Sequence, residues 1–292
     1  MRWKGEKQTE VIWSAKRIGI FDSGVGGISV ANAIRRAFSQ VGLSFSLFYL
    51  GDTENLPYGS KSIQTLRLLA RRNVHFFNQL QLDHLVVACN TSHSVAMDIF
   101  DEESNCPVVG VIDPAVRSLQ SRYSVNPVNI GIIATERTVQ SGCYQKKLSA
   151  VLPMGSRIYQ KACPLLVPLI EGWDVNPSAL YTVSKEYLSE LIRHDLQTIV
   201  FGCTHYPFLL SVMKQSTSIE FFDPAYAVAS ELVRMMNISS EGKEAQSETQ
   251  IMVTGNPDQF IRTLKRFQVG WVQEVRKVIV PEEVGSFGVK TG

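Results

Sequence analysis

The chain has 292 residues, 29 Lys and Arg against 27 Asp and Glu, a formal charge of +2, 45% apolar residues and 19% charged ones. That length suffices for one large domain or for two lobes of about 100 to 150 residues, each burying its own core. The near-neutral balance argues against a face-wide grip on a nucleic-acid backbone or a membrane surface, and no run reaches the ~18 apolar residues of a membrane span.

In chain order, residues 1–16 read as a mixed-charge N-terminal arm, with Arg2, Lys4, Lys7 and Lys16 against Glu6 and Glu10. No apolar signal-like segment follows, so the expected compartment is the cytoplasm. Short apolar, β-branched runs then predict strands at 18–21, 45–50, 85–88, 108–112, 129–133, 158–161, 198–202 and 220–222. Between them lie helical patterns. In 62–82 the residues Ile63, Leu66, Leu69, Ala70, Val74, Phe77 and Leu80 recur every three or four positions, which puts them on one helical face. Asn176-Pro177 and Asn256-Pro257 each read as an N-cap followed by Pro at the first helical position, the former opening a helix to about Arg193. Residues 239–248 are polar without an apolar period and read as a solvated loop, and 285–292 as a frayed tail.

Strands alternating with helices indicate βαβ units and parallel sheets covered by helices on both faces. The order of motifs also repeats. Val87-Ala88-Cys89-Asn90-Thr91 resembles Phe201-Gly202-Cys203-Thr204, with Cys89 and Cys203 an offset of 114 apart. Ile18-Gly19-Ile20-Phe21 matches Ile130-Gly131-Ile132-Ile133, and Asp113-Pro114-Ala115 matches Asp223-Pro224-Ala225, at offsets of 112 and 110. Three landmarks in the same order predict two similar Rossmann-like α/β lobes in tandem, related by a pseudo-two-fold axis.

The five cysteines, Cys89, Cys106, Cys143, Cys163 and Cys203, are odd in number and form no C-x-x-C pair, which argues against a disulfide scaffold or zinc ribbon. A lone cysteine after an apolar strand is more often packed than reactive. Two at equivalent repeat positions, each just past a buried strand, are a different matter. Ligands of open parallel sheets bind outside the carboxyl ends of the strands, so facing lobes would present one thiol from each side of a cleft. A helix N-terminus there is expected to lower the thiol pKa. Opposed thiols suit inversion at carbon, one removing a proton from one face and the other delivering a proton to the opposite face.

Taken together, several segments resemble the cofactor-independent glutamate racemases of the aspartate/glutamate racemase superfamily. They are Ile20-Phe21-Asp22-Ser23-Gly24-Val25-Gly26-Gly27, Pro57-Tyr58-Gly59-Ser60, Val87-Ala88-Cys89-Asn90-Thr91, Leu169-Ile170-Glu171-Gly172 and Gly202-Cys203-Thr204-His205-Tyr206-Pro207. The resemblance runs from about residue 17 to about 280. It implies interconversion of L- and D-glutamate, supplying D-glutamate for peptidoglycan, with no cofactor and no metal. Cys89 would deprotonate the D-enantiomer and Cys203 the L-enantiomer, with Asp22, Glu171 and His205 assisting. Asp22, Ser23, Tyr58, Gly59, Asn90, Thr91, Thr135, Thr138, Thr204 and His205 would hold the substrate. The same resemblance implies lobes at 17–112 plus 225–280 and at 113–224, with 281–292 as a tail. It leaves open a homodimer and a peptidoglycan-precursor effector.

This chain departs from the family pattern at Arg137, where the family usually carries Gly, at His93, where a small residue is usual, and at Glu54-Asn55. These departures leave room for another small amino acid such as aspartate as substrate. Two readings of another class also stand. Gly24-Val25-Gly26-Gly27 after a strand, with Asp52 as a ribose partner, could form a weak dinucleotide fingerprint. Cys89, His93, Cys203 and His205 could supply four zinc ligands.

Overall fold

The computed structural model describes residues 15–172, 176–236, 246–272 and 274–281. Most of the arm, the tail from 282 and most of the 239–248 segment lie outside the described residues. In chain order the strands are β1 (Lys16–Asp22), β2 (Phe45–Gly51), β3 (His84–Val87), β4 (Val108–Gly110), β5 (Asn129–Ala134), β6 (Arg157–Ala162), β7 (Thr198–Gly202), β8 (Glu220–Phe222), β9 (Ser247–Val253) and β10 (Val275–Lys277). They form two sheets, ordered β10-β9-β2-β1-β3-β4 and β6-β5-β7-β8. Every recorded pairing is parallel.

The internal repeat is visible in that order. β2-β1-β3-β4 and β6-β5-β7-β8 have the same connectivity, with β1 answering β5 and β3 answering β7. The fold is therefore α/β with two similar lobes. Strands buried on both faces read as near-continuous apolar runs, and β1, β2, β5 and β7 are buried over most or all of their length. One buried cluster joins both lobes, from Ile20, Ile28 and Val86 through Val228 and Leu232 to Ile132 and Ile199.

Two strands were not expected from the sequence. β9 and β10 return from the C-terminal segment to extend the first sheet, β9 pairing with β2 from Phe45↔Ser247 to Gly51↔Val253. Ser247 and Glu248 thus belong to a strand rather than to a loop. Lys16, the last residue assigned to the arm, opens β1 and pairs with Asp83 at 3.5 Å.

The helices follow their caps. Ser62 accepts from the Thr65 N–H and opens a helix over Ile63–Phe77. This helix ends five residues short of the sequence expectation. Past it, Gln81 takes a positive φ of 48° and the Arg17 guanidinium holds the carbonyls of Leu80 and Gln81, turning the chain into β3. Asn176 caps the helix Pro177–Leu191 through the Ser178 N–H, and Asn256 caps Pro257–Arg266 through the Asp258 N–H, both at 2.9 Å. Among the described residues no helix is long and apolar enough to cross a membrane.

Candidate active site

Cys89 follows β3 and occupies the N-cap position of the helix Asn90–Glu103. Cys203 follows β7, but a turn and the short 3-10 segment Tyr206–Leu209 come after it instead of a long helix. Both thiols are buried. They line one small cavity with Ser23, Tyr58, Gly59, Asn90, Thr91, Thr135, Val167, Thr204 and His205. The free space is only about 10 Å³, room for about one water. Asp22, Glu171 and Thr138, also named from the sequence, stand just behind this lining and act on it through hydrogen bonds.

Around Cys203 the groups form a relay. His205 Nδ1 lies 3.7 Å from Cys203 Sγ, and its Nε2–H donates to Glu171 Oε1 at 2.7 Å. Val25 N–H also donates to Glu171 Oε1, at 3.0 Å. Burial works against a charged His205, but the bonds to Cys203 and Glu171 outweigh it and push its pKa well above the ordinary histidine value. The raised pKa favours the protonated ring, which presents a donor toward each neighbour.

Around Cys89 the surroundings work the other way. Its S–H reaches Ser23 Oγ at 3.7 Å. Burial, and then the nearby Asp22 charge, push the thiol up to about 12. This corrects the sequence expectation of a depressed value: a helix N-terminus contributes at most about 2 kcal/mol, whereas a rise from 9.0 to about 12 is about 4 kcal/mol. Asp22, fully buried, is raised by its own burial despite the His205 charge, the Gly24 N–H and the Thr204 hydroxyl, which donates to it at 3.0 Å.

The remaining polar lining is oriented by packing. Tyr144 O–H donates to Asn90 Oδ1 at 2.8 Å, which leaves the Asn90 NH2 as the group available to a ligand carboxylate. The hydroxyls of Thr91 and Thr135 lie 2.9 Å apart, as do those of Thr135 and Thr138, so a threonine cluster spans the two lobes. Gly59 meets Thr135 there, and an added Cβ would stand 2.7 Å from Thr135 Cβ. The Tyr58 hydroxyl does not face the cavity. It donates to Asp52 and accepts from Asn73, so Tyr58 contributes ring and backbone to the lining. Arg137 Nε–H donates to the Lys61 carbonyl at 3.0 Å and ties the two lobes at the rim.

Three contributors were missed from the sequence: Tyr144, Val167 and Val25 N–H. Val25 lies inside a motif already quoted, and the motif was the available signal. Tyr144 and Val167 carry none, because only tertiary packing brings their helices to the cavity.

The readings of another class fail on geometry. The concave side of the Gly24–Gly27 loop is filled by protein: added Cβ atoms at Gly24 and Gly26 would stand 2.3 Å from Glu171 Oε1 and 2.4 Å from Thr204 Oγ1. No pyrophosphate fits against such a loop. Asp52, the suggested ribose partner, is fully buried and takes hydrogen bonds from Asn55, Tyr58, Arg72 and Thr254. For the zinc reading, His93 turns away from the thiols, with Nδ1 accepting from Ile112 N–H at 3.5 Å and Nε2 3.6 Å from Asp113. Among the described residues no three His, Cys, Asp or Glu side chains are placed to share a metal.

His93 has a consequence for stability. Burial, only partly countered by Asp113 and reinforced by Lys147, lowers its pKa to about 4. Below about 6.5 the unfolded chain takes up a proton that the folded protein refuses. The stabilisation is present above that value and is lost as pH falls toward 4. Unfolding free energy is expected to drop by about 3 kcal/mol over this window, and His93→Gln is expected to flatten the profile in denaturant titrations at pH 7, 5.5 and 4.5. An unchanged slope would refute the assignment.

The fold and the site define a class: two-lobed α/β proteins that set one thiol from each lobe on a shared interlobe cavity. A family model described as Asp/Glu/Hydantoin racemase matches residues 18–232. A glutamate racemase of Sulfurihydrogenibium sp. (strain YO3AOP1) is 38% identical over 257 residues, covering 87% of this chain and 94% of that protein. The crystal structure of a glutamate racemase isoform from Bacillus anthracis matches with a TM-score of 0.80 at 31% identity, covering 91% of this chain and 98% of that one. That of Francisella tularensis glutamate racemase in complex with D-glutamate matches with a TM-score of 0.79 at 27% identity, covering 92% and 99%. The chain belongs to the Asp/Glu/Hydantoin racemase family.

Proposed function

We propose that the protein is a glutamate racemase that interconverts L- and D-glutamate by a two-base mechanism, supplying D-glutamate for peptidoglycan. The reading rests on one observation above others: two buried thiols, just past equivalent strands of two like lobes, share one cavity. Cys89 holds its proton, because burial and the Asp22 charge raise its pKa, while His205 Nδ1 lies 3.7 Å from the Cys203 sulfur.

From L-glutamate, the Cys203 thiolate takes the α-proton, and the electron pair of the C–H bond delocalises into the α-carboxylate. The Cys89 S–H then delivers its proton to the opposite face, leaving a Cys89 thiolate and a Cys203 thiol. From D-glutamate the roles reverse. Asn90 NH2, the threonine hydroxyls and the backbone N–H groups of the loops beyond β1 and β3 hold the carboxylates and stabilise the charge as it grows. Glu171 keeps His205 charged and oriented, and Asp22 serves the Cys89 side. The cycle needs no cofactor. It needs both thiols reduced, which suits the cytoplasm. The same reading takes residues 17–112 plus 225–280 as one lobe and 113–224 as the other.

The test is chiral analysis of products from L-glutamate and, separately, L-aspartate in buffer without added cofactor. Glutamate is expected to turn over at least 100-fold faster, since a site built for the longer side chain leaves groups unpaired with the shorter one (about 10²-fold or more). Faster turnover of aspartate would replace glutamate as the substrate while leaving the two-base chemistry standing.

A further inference from the structure

The helix Pro257–Arg266 belongs to the segment that completes the first sheet, yet its side chains grip the second lobe where Glu171 sits. Gln259 and Arg266, two turns apart on one helical face, hold three consecutive carbonyls. Gln259 Nε2 donates to Glu171 O at 3.5 Å, Arg266 Nη1 donates to Gly172 O at 2.6 Å, and Arg266 Nη2 donates to Ile170 O. These carbonyls end the short helix Leu166–Glu171 and lack partners within it, and a cation at that end also meets the negative pole of the helix. With its backbone fixed in this way, Glu171 sends its carboxylate the other way, to Val25 N–H and His205 Nε2.

A second link leaves the same helix end. The Arg266 guanidinium lies 5.0 Å from the Phe267 ring centroid, and Phe267 stacks on Phe208 at 4.9 Å. Phe208 lies in the turn that follows His205, and its N–H bonds to the His205 carbonyl at 3.2 Å. Arg266 thus braces the backbone of both residues that flank Cys203, that of Glu171 through hydrogen bonds and that of His205 through the stacked rings and the Phe208 N–H. No comparable contact from this helix reaches Cys89 among the described residues.

We propose that Arg266 is a positioning residue for the half-reaction at Cys203: it touches no reacting atom but holds Glu171 and His205 at the distances that serve that thiol. The inference rests on the two-base reading above.

The test uses Arg266→Met, Arg266→Lys and Gln259→Leu in the full chain, with kcat/KM for both enantiomers, primary isotope effects on α-deuterated L- and D-glutamate, and melting temperatures. The enantiomers have equal free energy, so kcat/KM must fall by the same factor for both whichever thiol is affected. The isotope effects separate the faces. Arg266→Met is expected to lower kcat/KM about ten-fold. It should also raise the isotope effect with α-deuterated L-glutamate, whose deuteron Cys203 removes, while that with the D-enantiomer stays level or falls. Arg266→Lys should restore part of the rate and Gln259→Leu should give a weaker version of the same asymmetry. Should Arg266→Met not fold, the other two variants carry the same comparison. Isotope effects that move together, or kcat/KM within two-fold of wild type in all three, would overturn the inference. Failure of the wild-type protein to racemise glutamate would instead defeat the reading on which it rests.

Discussion

Cys203→Ser and Cys89→Ser are each expected to lower racemisation of either enantiomer by about 10³-fold or more, at the upper end of what one positioned acid or base contributes (about 10²–10⁴). Serine keeps the shape and loses the acidity. In the proposed mechanism each sulfur is base in one direction and acid in the other, so neither substitution can spare one direction. Exchange in deuterated water tells the faces apart. With Cys89→Ser, Cys203 still removes the α-proton of L-glutamate and can return deuterium from the same side, so L-glutamate is expected to incorporate deuterium without inverting. With Cys203→Ser the same applies to D-glutamate. Both sulfurs are buried, so exchange with bulk solvent is expected to be slower than deprotonation. Near-normal racemisation by either variant, or exchange on both enantiomers with one variant, would rule out the two-base mechanism.

The strands that carry the site were legible because burial on both faces leaves an apolar run with no alternation to confuse it. Ile18 through Phe21, Asn129 through Ile133 and Thr198 through Gly202 all read directly as strands. β9 hid for the opposite reason. Only Ile251, Met252 and Val253 are buried, and Ser247 through Gln250 carry polar side chains on exposed or half-buried ground, where β10 does not extend to cover them. A strand half exposed at one end looks like a loop until its partner is known.

Within the site, residue identity was legible and electrostatics were not. Cys89 sits at a helix N-terminus as its motif suggests, but the burial that accompanies the closed cleft outweighs the dipole. Sequence spacing carries no measure of burial depth. His93, four residues beyond Cys89, looked like a neighbour of the thiols, but its ring nitrogens are engaged by Asp113 and the Ile112 N–H. Arg266 and Tyr144 reach the candidate site from elements distant in sequence, and no local pattern marks them.

Gly26→Ala is expected to abolish most of the activity while leaving a folded protein. The loop between β1 and the helix Ile28–Gln40 runs against the Thr204–His205 segment so closely that an added Cβ would stand 2.4 Å from Thr204 Oγ1, 2.5 Å from His205 Nδ1 and 2.7 Å from the His205 backbone nitrogen. The last of these is main chain and cannot swing aside as a side-chain end would. To reach ordinary contact at 3.4 Å these atoms must move by about 0.7–1.0 Å, and the groups that move are those facing Cys203. Overpacking of this kind costs about 1–3 kcal/mol of stability. A displacement near 1 Å at the reacting groups costs about 10²-fold in rate. The expected result is therefore a loss of about 10²-fold in kcat/KM with a melting point lowered by only a few degrees, about what that overpacking implies for a chain of this size. Gly270→Ala serves as the control, because nothing lies within 4 Å of a Cβ added there, and it should match wild type in both measurements. If Gly26→Ala retains near-normal kcat/KM, then His205 and Thr204 do not need their observed positions. The relay from Glu171 through His205 to Cys203 would then lose its part in the proposed mechanism.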